Sequence, residues 1–389
     1  MIPSVLTSLH AASALTAGGE IYDAVVLIED GRIVRIGRPD EFDLPGRTQR
    51  HSFPDATILP AYLDVHIHGS AGHDVMDASP SGQQNMASFL GRHGVSAFLA
   101  TTVTASVDRT LAALDRIASW IEQPANLLSA KPLGIHLEGP FISHARRGVH
   151  PPEMIQPPSI ALFDRFYEAA RGHVRLMTLA PEIPGALELL HHAIGRGVRI
   201  SLGHSDALAA QARAGITAGA SSATHTGNAM RAFDHREPGL LGVVLDEQTL
   251  FAEIICDGHH LSPETIRLFA AAKSASRRIL ITDAISAAGK GDGQFLLGDL
   301  EVTVADGRAM LDGKLAGSVL TMDRAVEHFL FATGLHVSHA ALAASRNPAA
   351  MLGLDADTGS LAAGARADIN ILAPNGRLLA TFLAGQRLD

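Results

Sequence analysis

Eight short apolar runs, most of them followed by a segment with apolar residues at helical spacing, constrain this chain more than any other feature. They are Ile58 to Val65, Ala97 to Val103, Leu133 to Leu137, Val174 to Leu179, Val198 to Leu202, Ser222 to Thr224, Leu250 to Cys256 and Arg278 to Thr282. The amphipathic stretches include Val107 to Ile121, Ala161 to Ala170, Ala186 to Ile194 and Pro263 to Ala272. Runs without polar alternation suit strands buried on both faces, and such strands need helices to cover them. Eight strand–helix units over about 230 residues predict an α/β chain with a (β/α)8, TIM-like barrel. A doubly wound open sheet would want a Gly-rich phosphate turn after its first strand and polar residues at one switch point. Here polar residues follow nearly every run.

The flanks have a different texture. Ile21 to Ile28 and Ile33 to Gly37 are strand-like and are joined through Asp30-Gly31, a hairpin signal. Near the other end, Ala367 to Ala373 and Leu378 to Phe382 are separated by Pro374-Asn375-Gly376. Chain ends commonly lie close together. The expectation is a small β-sandwich domain built from residues 1–55 plus 350–389, beside a barrel domain of residues 56–349.

At 389 residues, 47% hydrophobic and 18% charged, the chain has the balance of an ordinary globular protein and can bury a large core. A net charge of −9 argues against a nucleic-acid partner. No run approaches the roughly 20 apolar residues a membrane helix needs, so no membrane partner is expected. Met1 to Gly18 lacks a basic start and an unbroken apolar core, so no signal peptide is read there. The one cysteine, Cys256, excludes an internal disulfide and lies in an apolar run, as a buried thiol in a reducing compartment would. The cytoplasm is the expected location. Twenty histidines against three tyrosines and one tryptophan point toward metal or proton chemistry.

That chemistry gathers at the ends of the runs. The first leads into His66-Ile67-His68, whose imidazoles share one side of an extended chain and can close on one ion. The third ends His136-Leu137-Glu138, the fifth Gly203-His204, the sixth Thr224-His225 and the eighth Thr282-Asp283. In a barrel these ends share one face, the face that carries catalysis in this fold. Taken singly, Glu138 suits a surface turn, His204 and His225 suit polar strand ends, and Asp283 suits a helix cap. Their joint occurrence favours a zinc-like ion bound by imidazole and carboxylate, a water activated on it, and an aspartate as general base and then acid. No G-x-S-x-G elbow supports a serine hydrolase, and His173, His191 and His192 receive no role.

With these residues in place, the chain resembles the amidohydrolase superfamily and, within it, the N-acetylglucosamine-6-phosphate deacetylases. The segments that carry the resemblance are Pro60 to Gly69, Gly134 to Phe141, Leu179 to Glu182, Gly203 to Ser205, Thr224 to Met230, Arg236 to Gly239, Asp257 to His260, Thr282 to Ala284 and Leu315 to Ser318. H-x-H marks the superfamily; H-L-E-G-P-F with N-A-M and R-E-P-G marks the deacetylases.

The resemblance implies that Glu138, His204 and His225 hold a principal divalent metal and that Asp283 is the base and acid. It gives His150 the acetyl carbonyl, and it gives Asn228, Ala229, Arg236 and His260 the sugar phosphate, with Ala316, Gly317 and Ser318 closing over the substrate. In relatives the arginine can come from a neighbouring subunit, so the resemblance implies a homodimer. Some relatives lack the H-x-H pair and use one ion; this chain keeps His66 and His68, so one or two ions are expected, zinc first, with iron, manganese and cobalt served by the same donors. The implied reaction is hydrolysis of N-acetyl-D-glucosamine 6-phosphate to glucosamine 6-phosphate and acetate. Thr226-Gly227 and Arg231 to His235 depart from the family pattern, which keeps the galactosamine isomer open as substrate. A cyclic amide hydrolase or deaminase is a further alternative, and a non-catalytic metal-binding barrel a third. Against the branch that bridges its ions with a carboxylated lysine, run four offers none, and Lys131, Lys273, Lys290 and Lys314 lie at no expected strand end.

Overall fold

The computed structural model describes residues 6–124 and 126–388. Residues 1–5 and Asp389, the outermost parts of the expected terminal domain and the first of them the start of the stretch Met1 to Gly18, lie outside the described residues.

Eight parallel strands, Tyr62–Ile67, Val95–Thr102, Lys131–Glu138, Val174–Leu179, Arg199–Leu202, Ser222–Ala223, Phe251–Ile255 and Arg278–Ile281, are hydrogen-bonded in chain order. The ring closes where Asp283 N–H donates to the His66 carbonyl and His68 N–H to the Ala284 carbonyl, each at 2.9 Å. Every residue of the first and second strands is buried, as two-faced burial requires. The expected helices form: Val107–Ile121 and Pro263–Ala272 have the anticipated limits, and the other two are Ile160–Ala169 and Ala186–Gly195. In Val107–Ile121, Thr110, Ala113, Leu114, Ile117 and Ala118 make the buried stripe, and the Ser106 hydroxyl accepts the Arg109 N–H at 3.3 Å as N-cap.

The two ends of the chain share one seven-stranded sheet. Thr7–Thr16 pairs with Gly19–Glu29 and with Gln49–Pro60, and Ile369–Leu372 pairs with the last four residues of Gln49–Pro60. Alternate residues such as Leu9, Ala11, Val26, Ile28, Ile369, Ile371, Ala380 and Phe382 form its own core. The sheet curls until its edges meet: the Gly31 carbonyl accepts the Ala367 N–H at 2.8 Å, and a Cβ added to Gly31 would lie 3.0 Å from the Ala384 carbonyl oxygen.

One expected strand is corrected. Ile58 to Pro60 belongs to the terminal sheet, and the barrel's first strand starts at Tyr62. Ala61 is the hinge; its N–H donates to the Asp368 carbonyl at 3.0 Å while that of Tyr62 donates to the Gly94 carbonyl at 2.8 Å. A further four-stranded antiparallel sheet spans residues 293–315, between the last barrel strand and helix Met322–Thr333, and was not anticipated.

Candidate metal centre

The strand-end residues converge. Glu138, the last residue of its strand, has Oε1 at 3.2 Å from His204 Nε2 and 3.0 Å from His225 Nε2, and Oε2 at 3.1 Å from His68 Nε2. His66 Nε2 lies 3.4 Å from Glu138 Oε1 and 3.5 Å from Asp283 Oδ1, and His68 Nε2 lies 3.2 Å from Asp283 Oδ1. Two ligand sets result, His66 with His68 and Asp283, and Glu138 with His204 and His225. Glu138 touches both.

His204, His225 and Asp283 each stand two residues past the end of their strand in left-handed backbone, with φ of 46°, 30° and 50°. Such strain persists only where the surroundings enforce it. At the His204 turn, Glu182 accepts the Ser205 hydroxyl at 2.7 Å and the Asp206 N–H at 2.6 Å. At the His225 turn, the Glu253 side chain accepts the His225 N–H at 3.2 Å. At the Asp283 turn, Ser318 donates its N–H to the Asp283 carbonyl at 2.8 Å and its hydroxyl to the Thr282 carbonyl at 2.6 Å.

A second layer fixes the rings. His68 Nδ1 meets the Thr101 carbonyl at 3.0 Å, His204 Nδ1 the Arg146 carbonyl at 2.9 Å, and His66 Nδ1 the Glu253 carboxylate at 3.2 Å. A carbonyl only accepts, so Nδ1 of His68 and of His204 carries the proton and Nε2 presents a lone pair to the site. Burial works against protonating His68, but with no cation between them Asp283 and Glu138 outweigh it and raise its pKa to about 9, so an ion bound here takes the place of the Nε2 proton and the lone pair becomes its ligand. Burial pushes the Asp283 carboxyl up, yet His66 and His68 bring it down to about 2. Burial, with His204 beside it, keeps the His150 pKa at about 3 and its ring neutral.

The residues fit a divalent ion. His204 Nε2 and His225 Nε2 face each other at 3.0 Å, with Glu138 Oε1 as near to both. Ring nitrogens and a carboxylate oxygen packed this closely in a buried site call for a cation or shared protons between them, and imidazole with carboxylate is a donor set for zinc-like ions.

The cavity above them has a volume of about 230 Å³. His68, Glu138, His150, His204, His225 and Asp283 line it together with Asn228, Ala229, His260 and Gly317. His150 Nδ1 is 2.7 Å from the Thr104 hydroxyl, and His260 Nδ1 is 2.7 Å from Asp257 Oδ2. Ala316 and Ser318 are buried and flank Gly317 in the cavity wall. Arg236 is exposed and does not line the cavity. His173 pairs with Glu122 just past the end of helix Val107–Ile121, His192 pairs with Asp164 between two outer helices, and Cys256 is a buried free thiol whose pKa burial raises.

Glu253 and Lys314 escape the strand-end reading. Glu253 had a signal, a carboxylate in the middle of the apolar run Leu250 to Cys256, where charge is rarely left unpaired. Lys314 lines the cavity from the four-stranded sheet, and the D-G turns at 306–307 and 312–313 were the signal for those strands.

A barrel whose strand ends bring His-x-His, a bridging glutamate, two further histidines and an aspartate onto one point defines a metal-dependent hydrolase. The chain belongs to the amidohydrolase family, whose model it matches over residues 57–388. It is 38% identical over 375 residues to the N-acetylglucosamine-6-phosphate deacetylase of Bacillus subtilis (strain 168), covering 95% of this chain and 94% of that one. It is 38% identical over 380 residues to the N-acetylgalactosamine-6-phosphate deacetylase of Escherichia coli O157:H7, covering 97% and 98%. Its structure is similar, with a TM-score of 0.91, 33% identity and coverage of 98% and 99%, to a Mycobacterium smegmatis N-acetyl-D-glucosamine-6-phosphate deacetylase variant solved in complex with N-acetyl-D-glucosamine-6-phosphate.

Proposed function

We propose that this chain hydrolyses the acetamide of N-acetyl-D-glucosamine 6-phosphate, releasing acetate and D-glucosamine 6-phosphate. The observation that carries the reading is Glu138 shared between two ligand sets with Asp283 beside them, in a chain whose relatives are named for this reaction. Glu138, His204 and His225 would hold a divalent ion, which would supply Lewis acidity and lower the pKa of water. Zinc suits the donors, and His66 with His68 and the shared Glu138 suit a second ion.

Asp283, held ionised, takes the proton of the attacking water and returns it to the departing amine. With the Thr104 hydroxyl donating to Nδ1, neutral His150 turns Nε2–H toward the acetyl oxygen and stabilises the charge that develops there. Val103, Leu297 and Leu315 line the same cavity and exclude water from the reacting end. Asn228, Ala229, His260 and the Ala316–Ser318 wall hold the sugar phosphate. Arg236, exposed in its own chain, completes the phosphate site of a partner, so the working form is a homodimer; its planar fork suits phosphate oxygens. The site lies wholly in the barrel domain, which runs from Tyr62 through helix Asn347–Leu352, with the strands before Ala61 and from Ile369 onward forming the terminal domain. Among the described residues no helix is long and apolar enough to cross a membrane, and we place the enzyme in the cytoplasm, in amino sugar metabolism.

The equal identity to the galactosamine enzyme supports a second reading, the galacto epimer as substrate. Acetate release by metal-loaded protein from the two 6-phosphates, side by side with unphosphorylated N-acetylglucosamine, tests both. Preference for the gluco 6-phosphate is expected; preference for the galacto epimer selects the second reading, and no release from any of the three refutes the activity.

A further inference from the structure

We infer that Lys314 binds the substrate's phosphate and sets the preference for a phosphorylated sugar, an assignment that rests on the amino sugar phosphate reading above. In the four-stranded sheet, Leu311 pairs with Lys314 across a two-residue turn, Asp312 and Gly313, whose φ values of 48° and 75° are those of a tight hairpin. This hairpin places Lys314 and Leu315 in the wall of the cavity that holds Glu138 and Asp283.

Two carboxylates already line that cavity, so an entering phosphate needs positive charge of its own beyond what the ligand sets neutralise. The phosphate contacts proposed above, His260 and an Arg236 reaching in from a partner, leave room for a further cation from this chain's own lining. His150 is neutral, His260 is tied to Asp257 at 2.7 Å, and Arg236 does not line the cavity of its own chain. Among the described residues Lys314 is the one lysine or arginine in the lining. Its Nζ makes one long hydrogen bond, 3.4 Å to the Gly148 carbonyl, and no ion pair among the described residues, so little is lost when it turns to an anion. Gly148 stands two residues before His150, so the ammonium lies beside the loop that carries the carbonyl-polarising ring. A compact charge on a flexible stem can reach from there to a phosphate oxygen.

The test is calorimetric binding of glucosamine 6-phosphate and of glucosamine to metal-loaded wild type, Lys314→Met and Lys314→Arg. The methionine variant should lose about tenfold of the preference for the phosphorylated sugar, the scale of one charge-assisted hydrogen bond, and the arginine variant should recover most of it. An unchanged ratio in Lys314→Met, or affinity for both sugars falling by the same factor, would overturn the assignment. Binding does not depend on turnover: a wild type that releases no acetate while keeping a Lys314-dependent ratio refutes the activity and leaves this assignment standing.

Discussion

His66 and His68 stand at the end of a regular strand, whereas His204, His225 and Asp283 stand two residues beyond theirs in left-handed backbone. The first arrangement needs only the side-chain alternation of an extended chain. The second needs a turn forced into an unfavourable conformation at a cost of about 1–3 kcal/mol per residue, balanced by side chains from other parts of the barrel. One half of the centre is therefore a local property of a strand, and the other half a property of the finished barrel. Glu138 joins them.

The variant that breaks this comparison most completely is Glu138→Gln, because it removes the one carboxylate shared by both ligand sets. We expect kcat/KM to fall by on the order of 10⁴-fold or more, with metal content reduced in both sets when counted by elemental analysis. Retention of a full complement of ions would show that the two sets do not depend on a shared ligand.

Asp283→Asn should be next in effect. It removes the proton carrier while Glu138, His204 and His225 stay in place, so kcat should drop by roughly 10²–10⁴-fold with tightly bound metal retained. Loss of metal in parallel with activity would make Asp283 mainly a ligand.

A smaller effect separates the second layer from the first. Glu253 meets the His66 ring and the His225 N–H with one oxygen, so it bears on both halves. Glu253→Gln should weaken metal affinity by about 10–100-fold, read by chelator competition. An unchanged affinity would reduce Glu253 to a packing residue.

The smallest expected effect lies away from both halves. Lys273 is buried, donates to the Val244 and Glu247 carbonyls, and has its pKa brought down to about 8, first by burial. The folded chain then releases this proton near pH 8 while the unfolded chain holds it to about 10.5, so the unfolded state binds more protons between them and stability rises with pH. Denaturant titrations of wild type should show that rise across this window, and Lys273→Met should flatten it. A wild-type curve flat from pH 8 to 10.5 would contradict the burial argument.

The same contrast explains what was legible in the sequence. The barrel could be read because two-faced burial removes polar alternation from its strands, and Val107–Ile121 because its buried residues recur at helical spacing. His66 and His68 were visible in a three-residue window. His204, His225 and Asp283 could be recognised only after eight strand ends had been placed on one face. Ile58 to Pro60 was misplaced because the apolar run continues without a compositional break from the terminal sheet into the barrel. Residues 293–315 show the half-buried alternation of surface strands but follow the last barrel strand, where the repeating pattern offers no guide. Braces such as Glu182 on the Ser205 turn act across 23 residues of sequence, and no local pattern reports such a contact.

The most direct test of the whole account is acetate release from N-acetylglucosamine 6-phosphate by metal-loaded wild type and Asp283→Asn, each with its bound ions counted. The account predicts rapid release by wild type, removal of the metal abolishing it, and an Asp283→Asn protein that keeps its tightly bound ion but turns over at least about 10²-fold more slowly. Undiminished release by the metal-free protein or by Asp283→Asn would contradict it.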